Sequence, residues 1–337
     1  MNYLKVLLLI CSSIFTVSCG YKKEPRPDVN HISSDFQILR FEQDFSAVDT
    51  ASFTSEIMRL QKEYPVFFEI YFQQILADRP MKEEEVYGFV KEIVSEDYLG
   101  HITDTTLILL GDLTSTFKEI EQMIKYYRLY FQDFNPKVLV TFISEFGVGA
   151  CTIGEDTLGL GLDMYLGADF EGYDPTVFPS FVRETMNPAY MPIHLGKTMV
   201  QNRIPGIQSN RMLDIMLYNG KVLYALERML PDMPKHMLIE YNTEQWLWVV
   251  NNELQIWTHF LSNELLYSTR RQDFQKLTGP SPNAPNMPPE APGQTANFIA
   301  WQIVKSYMKR FPETSLQDLM NLGDAQDLLE KSRYRPK

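Results

Sequence analysis

The run KVLVTFISEFGVGACTIGEDTLGLGLDMYLG, residues 137–167, decides the fold class. Residues 137–144 are a β-branched and aromatic run opened by Pro136, the composition of a buried strand. Residues 151–153 and 157–166 alternate about Gly154-Glu155-Asp156, so they read as antiparallel strands joined by a tight turn. Helical periodicity flanks them on both sides. The expectation is an α+β fold, predominantly helical, with a small antiparallel sheet at 137–167 wedged among helices. Within the last strand Leu158, Leu160 and Leu162 share one face, and Gly159 and Gly161 the other. Glycines repeated on one face weaken a strand unless something approaches its backbone closely. A packed helix is the plainer candidate, and a bound peptide the functional one.

Upstream, Phe36, Ile38, Phe41 and Phe45 step like a short strand entering a turn, and helical spacing follows at 53–64, 65–77, 82–94 and 112–130. Asp112 is placed to cap the last of these, and Glu83, Glu84 and Glu85 suit a solvated first turn. Downstream, 212–230 reads as one apolar helix or a pair kinked at Asn219-Gly220. Asn242 or Thr243 caps a long core helix carrying Trp246, Val249, Val250, Ile256, Trp257, Phe260 and Leu261. Six prolines between Pro280 and Pro292, Pro288 and Pro289 among them, make an extended loop. Residues 295–311 resume as an amphipathic helix, a last helix covers 315–329, and the tail 331–337 is basic. There is no internal repeat.

At the N-terminus Lys5 precedes a short apolar run, and Ser18 and Gly20 flank Cys19. The run is broken by Ser12 and Ser13 and is too short to span a bilayer, so it reads as a cleaved signal peptide with Cys19 as the acylated residue. Residues 1–18 form the signal peptide and 19–34 the lipid anchor and a polar tether. Residues 35–337 form a single α+β domain, within which 35–135 is a helical subdomain. A net charge of -12 excludes nucleic acid as a partner and gives no attraction to anionic lipid, which leaves the acyl group to hold the protein at the membrane. Cys151 is then the only free cysteine of the mature chain, a small buried apolar group rather than a nucleophile.

Motifs of catalysis are missing. The sequence has no His-Glu-x-x-His, Cys-x-x-Cys, phosphate-binding glycine loop or Gly-x-Ser-x-Gly elbow. Its five histidines, His31, His101, His194, His236 and His259, stand singly, without the one-turn spacing that lets two imidazoles share a zinc ion. His194 and His259 are the two that could meet a carboxylate such as Glu253 or Glu264 in the fold. No cofactor is expected.

Several stretches together resemble the GldB family of gliding-motility lipoproteins of the Bacteroidetes. They are Leu213-Asp214-Ile215-Met216 with Asn219-Gly220-Lys221-Val222-Leu223-Tyr224, then Tyr241-Asn242-Thr243-Glu244-Gln245 and Glu253-Leu254-Gln255-Ile256-Trp257. The Pro292-Gly293 entry to 300–308 and the closing Ser332-Arg333-Tyr334-Arg335-Pro336 complete the pattern. The resemblance implies a membrane-associated lipoprotein facing the periplasm, linked to gliding and the associated type IX secretion apparatus. It implies no established reaction.

More distantly, the order of elements is similar to that of predicted gluzincin-type zinc peptidases. In that likeness the first metal motif falls at 190–203, where only His194 is a potential ligand and Leu195, Gly196, Lys197 and Thr198 follow it. The second falls at Asn219-Gly220, with an amide in place of the carboxylate. An amide oxygen is a poor zinc ligand, and no glutamate follows the histidine to activate water. The expected function is therefore a non-enzymatic envelope lipoprotein that binds another envelope protein, with Gly159, Gly161, Pro288 and Pro289 as candidate contact residues. The alternative is an atypical zinc-dependent hydrolase on a degenerate gluzincin-like scaffold.

Overall fold

The computed structural model describes residues 26–337 apart from 34, 78, 97–98, 132–134 and 208. The signal peptide, Cys19 and residues 20–25 lie outside the described residues. Strand β1 (Gln37–Arg40) runs directly into α1 (Phe41–Ser46), followed by α2 (Phe53–Glu63), α3 (Pro65–Ile70) with a π-helical extension at Tyr71–Leu76, α4 (Glu83–Ser95), α5 (Gly100–Leu110) and α6 (Thr114–Tyr130). Strands β2 (Val138–Phe142), β3 (Ala150–Ile153) and β4 (Thr157–Gly161) come next. The rest is helical: α7 (Ser180–Arg183), α8 (Met191–Gln201), α9 (Met212–Met229), α10 (Lys235–Leu238), α11 (Thr243–Asn251), α12 (Glu253–Ser262), α13 (Arg271–Thr278), α14 (Thr295–Arg310), α15 (Leu316–Asn321) and α16 (Ala325–Ser332).

The α+β, mostly helical class stands, and the direction of the strands is corrected. The four-stranded sheet has the order β1-β2-β4-β3 and is mixed. Only β3 and β4 pair antiparallel, about the Gly154 turn; β2 lies parallel to β4, and β1 joins parallel to β2 with Gln37 opposite Val138. The reason lies at 143–149, where the chain leaves β2 at one end of the sheet and crosses to β3 on the outside. Asp163 holds that crossover: its buried carboxylate accepts from the Ser144 and Phe146 N–H groups at 2.9 and 2.6 Å. It thereby stabilises Glu145 and Phe146 in left-handed backbone, with φ of 52° and 64°.

Alternation along the strands sends side chains into two separate cores. Val140 and Phe142 of β2, with Ile153 of β3, face the aromatic-rich helices α1 to α4, where Phe41 touches Tyr64, Phe67 and Tyr71 edge to face. Leu139, Leu158 and Leu160 face the larger second core, built from α6 and the helices after residue 190. Within the stretch 35–135, expected as a helical subdomain, α1 to α4 pack in the first core, and α6 packs in the second through Ile120, Met123, Ile124 and Tyr127.

Several helix boundaries differ from the sequence reading for local reasons. Helix α9 runs unbroken through Asn219-Gly220, because Gly220 lets the backbone of Ala300 on α14 come close. A Cβ there would sit 2.6 Å from the Ala300 carbonyl carbon. The long helix after Asn242 bends at Asn252 into α11 and α12, although Asn242 and Gln245 cap it reciprocally as a capping box. The last helix divides at Gly323. Within the stretch expected as tether, Val29 is buried in the second core, Arg26 pairs with Asp232, and Arg128 holds Ser33 O and Asp35 at 2.8 Å.

Candidate functional site

Helix α8 carries His194, Lys197 and Gln201 at helical spacing, so one face presents all three. Opposite them, the turn after α10 brings Glu240. Its N–H bonds Met237 O at 2.9 Å and the Tyr241 N–H bonds His236 O at 2.8 Å, the two bonds of a Schellman motif. The donor of the first bond adopts left-handed backbone in this motif, and glycine is favoured there. This chain has Glu240, with φ of 61°. A non-glycine residue in that conformation costs about 1–2 kcal/mol, so its side chain needs a local reason. Lys197 Nζ donates to Glu240 Oε1 at 2.6 Å, and His194 Nε2 lies 3.7 Å from the same oxygen.

Electrostatics within this group are coupled. Burial pushes the Glu240 carboxyl up, but Lys197 and His194 outweigh it and hold the group below the ordinary carboxylate range. Burial pushes His194 down, and Lys197 adds to that against the pull of Glu240. A neutral imidazole results at neutral pH. Its Nδ1 is 3.2 Å from the Tyr165 hydroxyl, and its ring lies between Tyr165 and Tyr190.

Beside this group runs a chain of amides. Asn219 on α9 donates to Asn297 Oδ1 at 2.8 Å; Asn297 donates to Gln294 Oε1 at 3.1 Å; Gln294 donates to Ile239 O at 3.3 Å. Both asparagines also donate to Thr278 O, at 3.2 and 3.0 Å. Gln294 is the second left-handed residue of the region, with φ of 58°. Two clefts open here, of about 90 and 60 Å³. The first is lined by Lys197, Gln201, Asn219 and Asn297, the second by Glu240, Gln245 and Ser281, and Pro280 and Gln294 line both. Each admits a few waters or one polar group of a larger ligand.

Pro280 and Gln294 are also the two ends of the proline loop. The loop is closed on itself by Ala284 N to Ala291 O at 2.8 Å and by Gly293 N to Ser281 O at 3.2 Å. Ala284 and Ala291 are buried beneath it, while Pro288 and Pro289 are exposed at its tip. The loop is thus a closed turn packed on the second core through Ala284, Met287 and Ala291, with its two ends at the polar clefts. Gly159 and Gly161 lie elsewhere and are buried. Strand β4 is an inner strand with both edges paired, and a Cβ on Gly161 would fall 1.9 Å from Val148 O. The close approach that these glycines allow comes from the crossover loop and Cys151 rather than from a helix. Burial pushes the Cys151 thiol up to about 11, which suits an inert group.

The residues set against zinc motifs have other duties. Asn219 belongs to the amide chain, and the Thr198 hydroxyl donates back to His194 O at 3.0 Å. His259 on α12 bonds Asn263 just past the end of that helix, and Glu253 accepts from Tyr334 at 2.8 Å. Among the described residues no three His, Cys, Asp or Glu side chains gather where they could hold a metal ion. Sequence reasoning missed Glu240, whose one signal was the absence of glycine after a short helix, and Lys197, whose partner is 43 residues away.

The family model described as gliding motility protein GldB matches residues 22–336. No curated protein and no solved structure gives a match.

Proposed function

The chain belongs to the gliding motility protein GldB family, and on that premise we propose that its folded domain is a non-catalytic envelope subunit that binds another envelope protein. Family membership gives it a role in gliding motility as a lipoprotein, and among the described residues no helix is long and apolar enough to cross a membrane. In this reading Cys19 carries the lipid, the domain faces the periplasm, and the partner belongs to the gliding machinery or the associated type IX secretion apparatus.

One observation carries the binding reading: both ends of the rigid proline loop line the polar clefts. A ligand held in the clefts therefore meets hydrogen-bonding groups already held in place, at the two ends of the loop that carries Pro288 and Pro289. A preformed loop and fixed amides lose little entropy on docking, which is how a modest surface reaches useful affinity. Lys197 is about one-third exposed at the cleft, and the clefts suit the amides of an extended peptide. Gly159 and Gly161 enter this reading as packing residues that hold β4.

Photo-crosslinking in cells from a reactive residue at Pro288 tests the reading. The expected product is one envelope protein, lost when the cleft is altered by Asn219→Asp. Crosslinks to lipid alone, or none, overturn it. Serine at Cys19 should abolish fatty-acid labelling and membrane partition while the domain still folds. Stoichiometric zinc in purified protein, lost in His194→Ala, would instead establish the hydrolase reading.

A further inference from the structure

Helices α11 and α12 bury one apolar face and display another. Val249, Ile256 and Phe260 are buried against the second core, whereas Leu247, Val250, Leu254 and Leu261 are 43–53% exposed. The spacing of the exposed set is three, four and seven residues. It places Leu247, Leu254 and Leu261 at successive a positions of a heptad and Val250 at d. Trp257 fills the next d position, with its ring edge against Tyr334. Asn252 joins the two helices at the bend, its N–H bonding Trp248 O and its carbonyl accepting from Ile256 N, at 3.0 and 2.9 Å, and the exposed set continues beyond it at Leu254 and Leu261. The stripe is at most about 21 Å long at 1.5 Å per residue.

We propose that this stripe is the docking face for an amphipathic helix of a partner protein whose apolar seam is flanked by Lys or Arg. The inference rests on the reading that the domain binds an envelope protein, and it names a surface separate from the clefts. The charges select the occupant. Glu244 and Glu264 stand at the two ends of the stripe, and no Lys or Arg occurs from 243 to 264. A helix that lies in a lipid interface carries basic residues along its polar margin, and this one has none. A second copy in antiparallel register would set Glu244 against Glu264 in a molecule already at -12. A basic-flanked helix meets neither objection and gains both burial of the leucines and charge pairing at its ends.

The test uses the full lipoprotein in neutral-lipid nanodiscs and a synthetic helix of about three heptads with Leu at a and d and Lys at e and g. Binding is read by fluorescence anisotropy, with a photo-crosslinking residue at Val250. The Lys-flanked helix should bind and crosslink. Leu254→Glu, at an exposed position, should weaken binding at least tenfold with unchanged circular dichroism, and Leu247→Glu should do the same. A Glu-flanked helix should fail. Equal binding by the variants or by the Glu-flanked helix overturns the proposal, as do lipid or self adducts at Val250 in place of peptide adducts. In cells, an envelope partner still crosslinked to Leu254→Glu sinks the stripe but leaves partner binding intact. Absence of any partner from the wild type sinks the broader reading.

Discussion

Tyr71 donates its hydroxyl hydrogen to the carbonyl oxygen of Ile143, 2.9 Å away and 72 residues further along the chain. The bond ties the π-helical turn of the first core to the residue that follows β2. Both groups are buried, so neither has water as an alternative partner. Replacing Tyr71 with Phe keeps the ring contacts to Phe41, Phe67 and Phe142 but orphans the carbonyl. A loss of about 1–2 kcal/mol is expected in urea unfolding, with the near-ultraviolet dichroism retained.

The two glycines of β4 should respond unequally to alanine. At Gly161 the added carbon meets the Val148 carbonyl, a backbone atom that moves only if the crossover loop moves, and a loss of about 3 kcal/mol is expected. At Gly159 the nearest atom is the Cys151 sulfur at 2.5 Å. Pairing Gly159→Ala with Cys151→Ala should restore most of the lost stability, whereas Cys151→Ala should do nothing for Gly161→Ala. A double-mutant cycle by chemical denaturation measures the difference; equal coupling at both sites would contradict the packing described.

Glu240 is kept for its side chain at the expense of its backbone. Glycine at this position loses the Lys197 pair but relieves the left-handed strain, while alanine loses the pair and keeps the strain. Glu240→Ala should be less stable than Glu240→Gly by about 1 kcal/mol. Thermal or urea unfolding of the two variants side by side decides the point.

Acid should weaken the fold earlier than carboxylates alone would cause. His194 is held below its ordinary value in the folded state, so the unfolded chain takes up the proton first. Stability therefore falls as pH drops through about 6.5, and that loss levels off below the folded value. Glu240, also depressed, adds a second loss as pH falls below the ordinary carboxylate range. Urea midpoints at pH 8, 6 and 5 should decline in wild type, and His194→Gln should flatten the part between 8 and 5.

Much of the fold could be read from the sequence because its signals are local. The strand at 138–142, the hairpin turn at Gly154, the Asn242 capping box and the amphipathic α14 each depend on neighbours within a few residues. The strand order did not show, because it depends on Asp163 gripping Ser144 and Phe146 from 19 and 17 residues away. Helix α5 escaped notice for another reason: its run of Thr and Leu lacks a clear apolar face, and Ile108 and Leu109 are exposed. The apolar residues of α11 and α12 looked like one core face because composition does not tell a buried leucine from an exposed one. In the cleft, His194 and Asn219 could be picked out as chemical types, but Glu240 and Lys197 acquire meaning only from each other.

The pairing of Gln37 with Val138 sets the order in which the molecule can form. About a hundred residues must be looped out before β1 finds β2, roughly 2 kcal/mol harder in chain entropy than closing a ten-residue loop. Until then the aromatic residues of α1 to α3 have no sheet to close over, and Phe41, Phe67 and Phe72 remain open to solvent. Refolding should thus proceed from the second core, slowly for a protein so rich in helix. The amino-terminal third should be the last part to gain protection against hydrogen exchange.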